Sequence, residues 1–215
     1  MTIYGIGGLG ADKRVFNDLN LNYNFIPIDW IAPFKNENIS DYANRLSQCI
    51  NQKEAYIILG VSFGGLIATE ISKVLNPKMT ILISSTETRS ELPLLFIFIG
   101  KTRLLKILPI RLFHPPKRLA HYFFQTKRKQ LLDAILNDTD LNFTKWAVNE
   151  LVVWNNRQPL KNVLKISGDA DRIIPQKKKV EIKLINGGGH FMIVDNAEEI
   201  SQIINEKVSK TIHDP

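Results

Sequence analysis

The sequence predicts an α/β fold with a mostly parallel sheet of about six strands and a helical insertion. Short apolar segments alternate with helical patterns through the first 87 residues and resume near the end of the chain, which is typical of a doubly wound sheet. Residues 56–72 show this most clearly, because a buried strand, a glycine-rich turn and a helix follow one another directly. This alternation of strands and helices is interrupted over residues 88–152, where the apolar residues have helical spacing.

Length and composition indicate an ordinary globular domain. The chain has 215 residues, 44% of them hydrophobic, which suits one domain with a sizeable core. A single cysteine, Cys49, excludes an internal disulfide framework and fits a reducing compartment; we expect it to be a buried structural thiol. The longest apolar run, residues 92–99, is too short to span a membrane, and the chain opens on a strand pattern. We therefore expect a cytoplasmic protein.

Six segments have the short, apolar and β-branched composition of strands: residues 2–6, 23–28, 56–59, 78–84, 162–167 and 180–185. Helical spacing surrounds them at residues 40–50, 66–71 and 197–208. Within residues 88–152, helical spacing occurs at residues 92–99, 104–113, 119–124 and 130–137. Prolines at 109, 115 and 116 separate these helical segments. The sequence therefore predicts a core made of residues 1–87 and 153–215, with residues 88–152 as a helical cap.

The formal charge of +7 is concentrated in the cap. No acidic residue occurs between Leu92 and Leu132, whereas nine basic ones do: Lys101, Arg103, Lys106, Arg111, Lys117, Arg118, Lys127, Arg128 and Lys129. Such a block could attract an anionic carrier, such as coenzyme A or an acyl carrier protein, or an anionic lipid surface. The alternative is a solvated face whose apolar residues pack on the core. Nucleic acid is not expected, since no recognisable binding module is present.

A glycine-rich turn follows the first predicted strand. Gly5, Gly7 and Gly10 match the Gly-x-Gly-x-x-Gly pattern of dinucleotide sites, although too little chain follows for a helix and a second strand of the usual length. The other interpretation is a loop whose backbone N–H groups approach a reacting carbonyl. Both interpretations remain open from these residues alone.

The turn at residues 60–64 has the Gly-x-Ser-x-Gly pattern between a strand and a helix. A serine on such a tight turn projects above the sheet, and Gly60 and Gly64 avoid collisions with the adjoining strand and helix. The helix that follows directs free backbone N–H groups toward the serine. Ser62 is therefore a candidate nucleophile; the alternative is an incidental serine in a glycine-rich turn.

Two further chemical groups follow later strands. Asp169 and Asp171 come after the strand at 162–167, and His190 comes after the last strand and three glycines. The carboxyl ends of parallel strands meet at one edge of a sheet, so we expect these side chains to converge near Ser62. His114 and His121 fall in the cap, and no acid is evident to support them.

The order serine, acid, histidine and the motifs GGLGAD, GVSFGG, GDADRIIP and GGGHF resemble the α/β-hydrolase superfamily over nearly the whole chain outside the cap. The resemblance implies an α/β-hydrolase fold in which Ser62 is the nucleophile, His190 its base and Asp171 the residue that orients the histidine. Asp171 is preferred over Asp169 because it follows Gly168 by three positions, with a proline shortly after.

The same resemblance implies an oxyanion hole formed by the backbone N–H groups of Leu9 and Phe63, with Gly8 and Gly10 beside the substrate. The chain departs from the family in two respects. It begins at the strand before the glycine loop, which predicts a truncated sheet, and Gly7 stands where many relatives carry histidine.

The resulting hypothesis is a serine hydrolase, of carboxylesterase or thioesterase type, that works through an acyl-enzyme without cofactor or metal. One alternative is a lyase or acyltransferase that uses the same three residues. Another is a non-catalytic binding protein that retains the fold.

Overall fold

The computed structural model describes residues 1–175 and 182–213. Within them, one sheet contains six strands: β1 Thr2–Ile6, β2 Asn24–Ile28, β3 Tyr56–Val61, β4 Met79–Ile83, β5 Val163–Gly168 and β6 Ile182–Ile185. The α-helices are α1 Ile39–Leu46, α2 Phe63–Leu75, α3 Leu94–Thr102, α4 Lys117–Phe124, α5 Lys129–Asp138, α6 Leu141–Val153, α7 Met192–Asp195 and α8 Ala197–His213. Short 3-10 helices lie at Lys13–Phe16, Ser47–Cys49, Arg89–Glu91, Leu104–Lys106 and Ile110–Phe113.

The sheet is parallel throughout, in the order β2-β1-β3-β4-β5-β6, which confirms the predicted six-stranded α/β architecture. Every residue of β3 and β4 is buried, because helices cover both faces. Ile58 clusters with residues of α1 and α2, whereas Ile57 and Leu59 cluster with residues of α8. This two-sided burial explains why the strands are apolar without polar alternation.

The order of the strands reverses at β1, which lies between β2 and β3. In an open parallel sheet, a crevice forms at the carboxyl ends of the strands where the order reverses. The loops that follow β1 and β3 are therefore neighbours, and they are the loops that carry the glycine-rich turn and Ser62.

Helices occupy the chain between β4 and β5, but their bounds differ from those predicted. Residues 104–113 form two 3-10 helices instead of one longer helix, since Pro109 cannot continue the first. Helix α6 was not predicted as a separate element; Asp140 caps it by accepting a hydrogen bond from the Asn142 N–H at 2.8 Å. The division into a core and a separate cap stays a prediction.

Two smaller expectations also changed. Cys49 is exposed, and the prediction of a buried thiol was wrong, because the chain leaves α1 at Leu46 and continues as a short 3-10 helix. Of the last predicted strand, residues 182–185 are confirmed, while Val180 and Glu181 lie outside the described residues. No helix in the described ranges is long and apolar enough to cross a membrane.

Candidate active site

Ser62 occupies a sharp turn between β3 and α2, with φ 53° and ψ −122°. Residues other than glycine rarely adopt a positive φ, and the glycines on either side of Ser62 make the turn possible. A Cβ on Gly60 would lie 2.4 Å from the Gly64 carbonyl oxygen, and one on Gly64 would lie 2.1 Å from the Gly7 carbonyl oxygen. The two glycines therefore let the strand and the helix approach closely, as the sequence predicted, and Gly64 also allows a close approach of the β1 loop, which was not predicted.

Two hydrogen bonds hold this turn to the neighbouring strand. The Ser62 N–H donates to the Ile83 carbonyl at 2.9 Å, and the Ser85 hydroxyl donates to the Ser62 carbonyl at 2.7 Å. Ile83 is the last residue of β4, which lies next to β3 in the sheet, and Ser85 follows two positions later. Ser85 was not predicted as a site residue, although its position directly after an adjacent strand was a usable signal.

The three predicted side chains meet above this edge of the sheet. His190 Nε2 lies 2.8 Å from Ser62 Oγ, and His190 Nδ1 lies 2.8 Å from Asp171 Oδ2. Each residue follows a different strand, β3, β5 or β6, so the parallel sheet gathers them. Both distances are those of good hydrogen bonds.

Asp171 is buried and held on both oxygens. Its Oδ1 accepts hydrogen bonds from the backbone N–H groups of Ile173 and Ile174, at 2.8 and 2.9 Å. Burial by itself raises the pKa of Asp171, but the hydrogen bond and charge of His190 and these two N–H groups outweigh it. The net shift lowers the pKa below its ordinary value, so the group is a carboxylate at neutral pH.

The ionised carboxylate fixes the roles of the two imidazole nitrogens. A carboxylate only accepts hydrogen bonds, so Nδ1 of His190 is the donor to Asp171. In the neutral ring Nε2 then has a free lone pair, which accepts the hydroxyl proton of Ser62. The arrangement can therefore remove a proton from Ser62 Oγ.

Asp169, the other carboxylate of this loop, contacts the turn after β6 instead of His190. It accepts a hydrogen bond from the Gly187 N–H at 2.7 Å and so ties the β5 loop to the turn after β6. Its contacts are those of a loop-stabilising residue.

The C-terminal end of helix α4 packs against His190. Phe124 packs edge-on against the His190 ring, with centroids 5.5 Å apart, and its carbonyl accepts the Phe191 N–H at 3.2 Å. A Cβ on Gly189 would lie 2.7 Å from Gln125 Cβ, which explains a glycine directly before His190. Only 3% of His190 is exposed, and the residue lines the cavity described below.

The β1 loop lies directly beside Ser62. A Cβ on Gly8 would lie 3.5 Å from Ser62 Cβ, and Gly8, Leu9, Ser62 and Phe63 all line one cavity. Within the described part of the chain, the N–H groups of Leu9 and Phe63 donate to no other protein group. Both are thus available to an oxygen above Ser62, and their assignment as an oxyanion hole stays a prediction.

Trp30 and Thr139, neither predicted as a site residue, both contact the β1 loop. The Trp30 indole N–H is shared between the carbonyls of Gly8 and Ala11, at 3.2 and 2.9 Å. Gly10 has φ 69°, and a Cβ there would lie 2.3 Å from Thr139 Cγ2. Gly10 thus contacts helix α5's end and does not line the cavity with Gly8.

The helix that follows this loop, Lys13–Phe16, is a 3-10 helix of four residues. A dinucleotide fingerprint needs a full helix whose N-terminus receives the pyrophosphate. The structure therefore disfavours the dinucleotide interpretation of Gly5, Gly7 and Gly10.

Ser62 and His190 open into a cavity of about 440 Å³. Most of its wall comes from helices between β4 and β5, and most of the lining side chains are apolar. They include Phe96, Ile99, Leu105, Leu108, Phe113, Phe124, Leu132, Ile135, Leu141, Val148 and Leu151. The cavity therefore suits an apolar group attached to a reacting centre at Ser62.

The histidines of the cap depart from expectation. His121 does have an acidic partner, since its Nε2 lies 2.7 Å from Asp133 Oδ1, and the prediction that no acid supports it was wrong. His114 lines the cavity. Among the described residues, no three His, Cys, Asp or Glu side chains are arranged to hold a metal ion.

Comparisons with known proteins bear on the fold of the chain. No protein-family model matches the sequence, and no curated protein matches it. Among solved structures, MenH from S. aureus matches with a TM-score of 0.75 and 18% identity, over 99% of this chain and 95% of that one. A lipase-esterase related protein from Clostridium acetobutylicum matches with a TM-score of 0.66 and 16% identity, over 95% and 93%. The chain has the α/β-hydrolase fold.

A third structural match to this α/β-hydrolase fold is a bacterial membrane phospholipase A, with a TM-score of 0.70 and 17% identity. It covers 99% of this chain and 79% of the other. At these identities the similarity establishes the architecture, and the chemistry has to be argued from the side chains above.

The depressed pKa of Asp171 predicts a pH-dependent contribution to stability. The carboxylate stabilises the folded state fully above its ordinary pKa of 3.8, and this contribution is lost as pH falls through the lower folded value. The difference in unfolding free energy between wild type and Asp171→Asn, measured in urea, should be largest at about pH 7. It should shrink at about pH 3. A difference that stays constant over this range would contradict the assignment.

Proposed function

We propose that the protein is a serine hydrolase that cleaves a carboxylic ester or thioester through an acyl-enzyme on Ser62. The observation that carries the proposal is the continuous hydrogen-bonded chain Ser62–His190–Asp171, with both links at 2.8 Å. A hydroxyl is a poor nucleophile until a neighbouring base takes its proton. A pure binding site has no use for a buried carboxylate, an oriented imidazole and a strained serine in series.

The first half of the reaction forms the acyl-enzyme. Ser62 Oγ attacks the carbonyl carbon while His190 Nε2 takes the hydroxyl proton, and Asp171 stabilises the imidazolium that forms. The carbonyl oxygen becomes an oxyanion, which the N–H groups of Leu9 and Phe63 would bind. The bond to the leaving oxygen or sulfur then breaks, and the proton on Nε2 passes to that atom.

The second half repeats these steps with water. Nε2 takes a proton from a water molecule, whose oxygen attacks the acyl carbon. The acyl–Oγ bond breaks, Ser62 regains its proton and a carboxylic acid leaves. An acyltransferase would use an alcohol or amine in place of this water, so the two activities differ only in the second half.

The cavity supports an acyl substrate with a long apolar chain. Its lining side chains are predominantly aliphatic and aromatic, and the catalytic serine lies in the same wall. Burying a methylene group of a bound chain contributes roughly 0.8 kcal/mol, so longer chains should bind more tightly until the cavity is filled. Two of the structural matches, a lipase-esterase related protein and a phospholipase A, are named for the cleavage of esters.

Steady-state hydrolysis of a p-nitrophenyl ester tests the mechanism. We expect Ser62→Ala and His190→Ala to lower kcat by a factor of about 10⁴ or more relative to wild type. Asp171→Asn should lower kcat by a factor of about 10⁴. Asp169→Asn is the matched control, because it changes the other carboxylate of the same loop and should leave kcat within about twofold. Retained turnover in Ser62→Ala would refute the acyl-enzyme.

A second measurement addresses chain length. Val148 on α6 lines the cavity, whereas Val153 on the same helix is 40% exposed. Val148→Trp should fill part of the cavity and move the preferred p-nitrophenyl ester to a shorter acyl chain, while Val153→Trp should not. An unchanged preference in Val148→Trp would mean that the acyl group binds elsewhere.

A further inference from the structure

Helix α3 carries apolar side chains on its solvent side as well as on its inner side. Leu94, Leu95 and Phe98 are 64–83% exposed, while Phe96 and Ile99 of the same helix line the cavity. A helix that is apolar all round is normally buried in a protein core or in lipid. Here one side of it faces outward with nothing covering it in the described chain.

The same two-sided pattern continues to residue 124. Leu105, Leu108, Phe113 and Phe124 point into the cavity, while large neighbours between them are exposed. We define the outer face as the eight exposed apolar residues of this segment that do not line the cavity, which are 38–83% exposed: Leu94, Leu95, Phe98, Leu104, Ile107, Leu119, Tyr122 and Phe123. Single exposed apolar residues are common on soluble proteins, but a group of eight within 30 residues is typical of an interaction surface.

Cations are interleaved with the outer face. Six exposed basic residues share its segment: Lys101, Arg103, Lys106, Arg111, Lys117 and Arg118. On α3, Lys101 follows Phe98 by three positions, and on α4 Arg118 precedes Tyr122 by four, so each pair shares a helix side. Within the described residues, Lys101, Arg103, Arg111 and Arg118 form no ion pair.

The charge of the outer face disfavours a second copy of the chain as its occupant. A two-fold dimer pairs a surface with itself, which would bring two cationic faces together. The sequence offers no carboxylate between residues 92 and 132 to neutralise them. The partner must therefore supply negative charge, and it must also receive several large apolar side chains.

We propose that the outer face docks on an anionic lipid surface. Lipid headgroups supply the negative charge, and the boundary between headgroups and acyl chains receives the leucine, isoleucine and phenylalanine side chains. Aromatic residues such as Tyr122 and Phe123 suit that interface. Helix α3 carries side chains of the outer face on one side and of the cavity on the other, so the apolar cavity lies directly behind the docked surface.

Vesicle co-sedimentation tests the docking. The wild type should bind vesicles containing about half phosphatidylglycerol at least ~10-fold more tightly than pure phosphatidylcholine vesicles, and the binding should weaken as salt rises above about 0.1 M. Two double variants, Leu94→Ser with Phe98→Ser and Lys101→Glu with Arg103→Glu, should each lower binding by roughly tenfold or more. Because these side chains are exposed, the folded state should tolerate the changes, which a Tm measurement checks.

The control combines one change of each kind, an apolar residue to serine and a lysine to glutamate, at positions away from the outer face. Val74 is 65% exposed and lies at the far end of α2 from Ser62, and Lys53 is exposed; Val74→Ser with Lys53→Glu should leave vesicle binding unchanged. Ser62→Ala should bind vesicles like wild type, so docking and catalysis fail separately.

Four results would overturn the proposal. One is equal binding to anionic and neutral vesicles, and another is wild-type binding in both outer-face variants. The third is a dimer in light scattering that Leu94→Ser with Phe98→Ser dissociates while vesicles remain unbound, which would assign the face to a second copy. Absence of vesicle binding together with binding to an acidic carrier protein would reassign it to that protein.

Discussion

The backbone conformation of Ser62 is the constraint on which the rest of the candidate active site depends. A non-glycine residue at positive φ costs about 1–3 kcal/mol, and the turn persists because its surroundings fix it. Gly60 and Gly64 avoid steric collisions in the turn. The Ser62 N–H donates to Ile83 at the end of β4, and the Ser62 carbonyl accepts a hydrogen bond from Ser85 just beyond that strand. The hydroxyl is thereby raised above the sheet edge, where the loops after β1, β5 and β6 can reach it.

The sheet and the three converging side chains were predictable from sequence, for one physical reason. Residues that directly follow parallel strands must lie at one edge of the sheet, so Ser62, Asp171 and His190 converge once six strands are recognised. The glycines around Ser62 were informative for a similar reason, since only a close approach of backbones requires them at that spacing.

The supporting contacts were not predictable, because they join residues far apart in sequence. Trp30 reaches the carbonyls of the β1 loop, and Thr139 meets Gly10 across 129 positions. Neither residue belongs to a local motif. Local patterns did not predict α6 as a separate helix, whose start is set by the Asp140 cap. They also did not predict the early end of α1, which leaves Cys49 exposed.

The segment between β4 and β5 joins the two proposals, since its inner side chains line the cavity and its outer ones are exposed. This arrangement explains why apolar residues are so frequent there without forming a core of their own. The proposed docking on an anionic surface also accounts for the positive charge of the same segment: an apolar outer face alone would promote non-specific association, whereas cations favour anionic partners. The site and the outer face use different side chains of the same helices.

The central claim is that His190 activates Ser62, and covalent labelling tests it most directly. A fluorophosphonate reacts when Ser62 Oγ attacks phosphorus, fluoride leaves and His190 takes the hydroxyl proton. Intact-mass analysis should show one adduct on the wild type, located on Ser62 by peptide mapping, and none on Ser62→Ala or His190→Ala. No adduct on folded wild-type protein, or an adduct that persists in Ser62→Ala, would contradict the account.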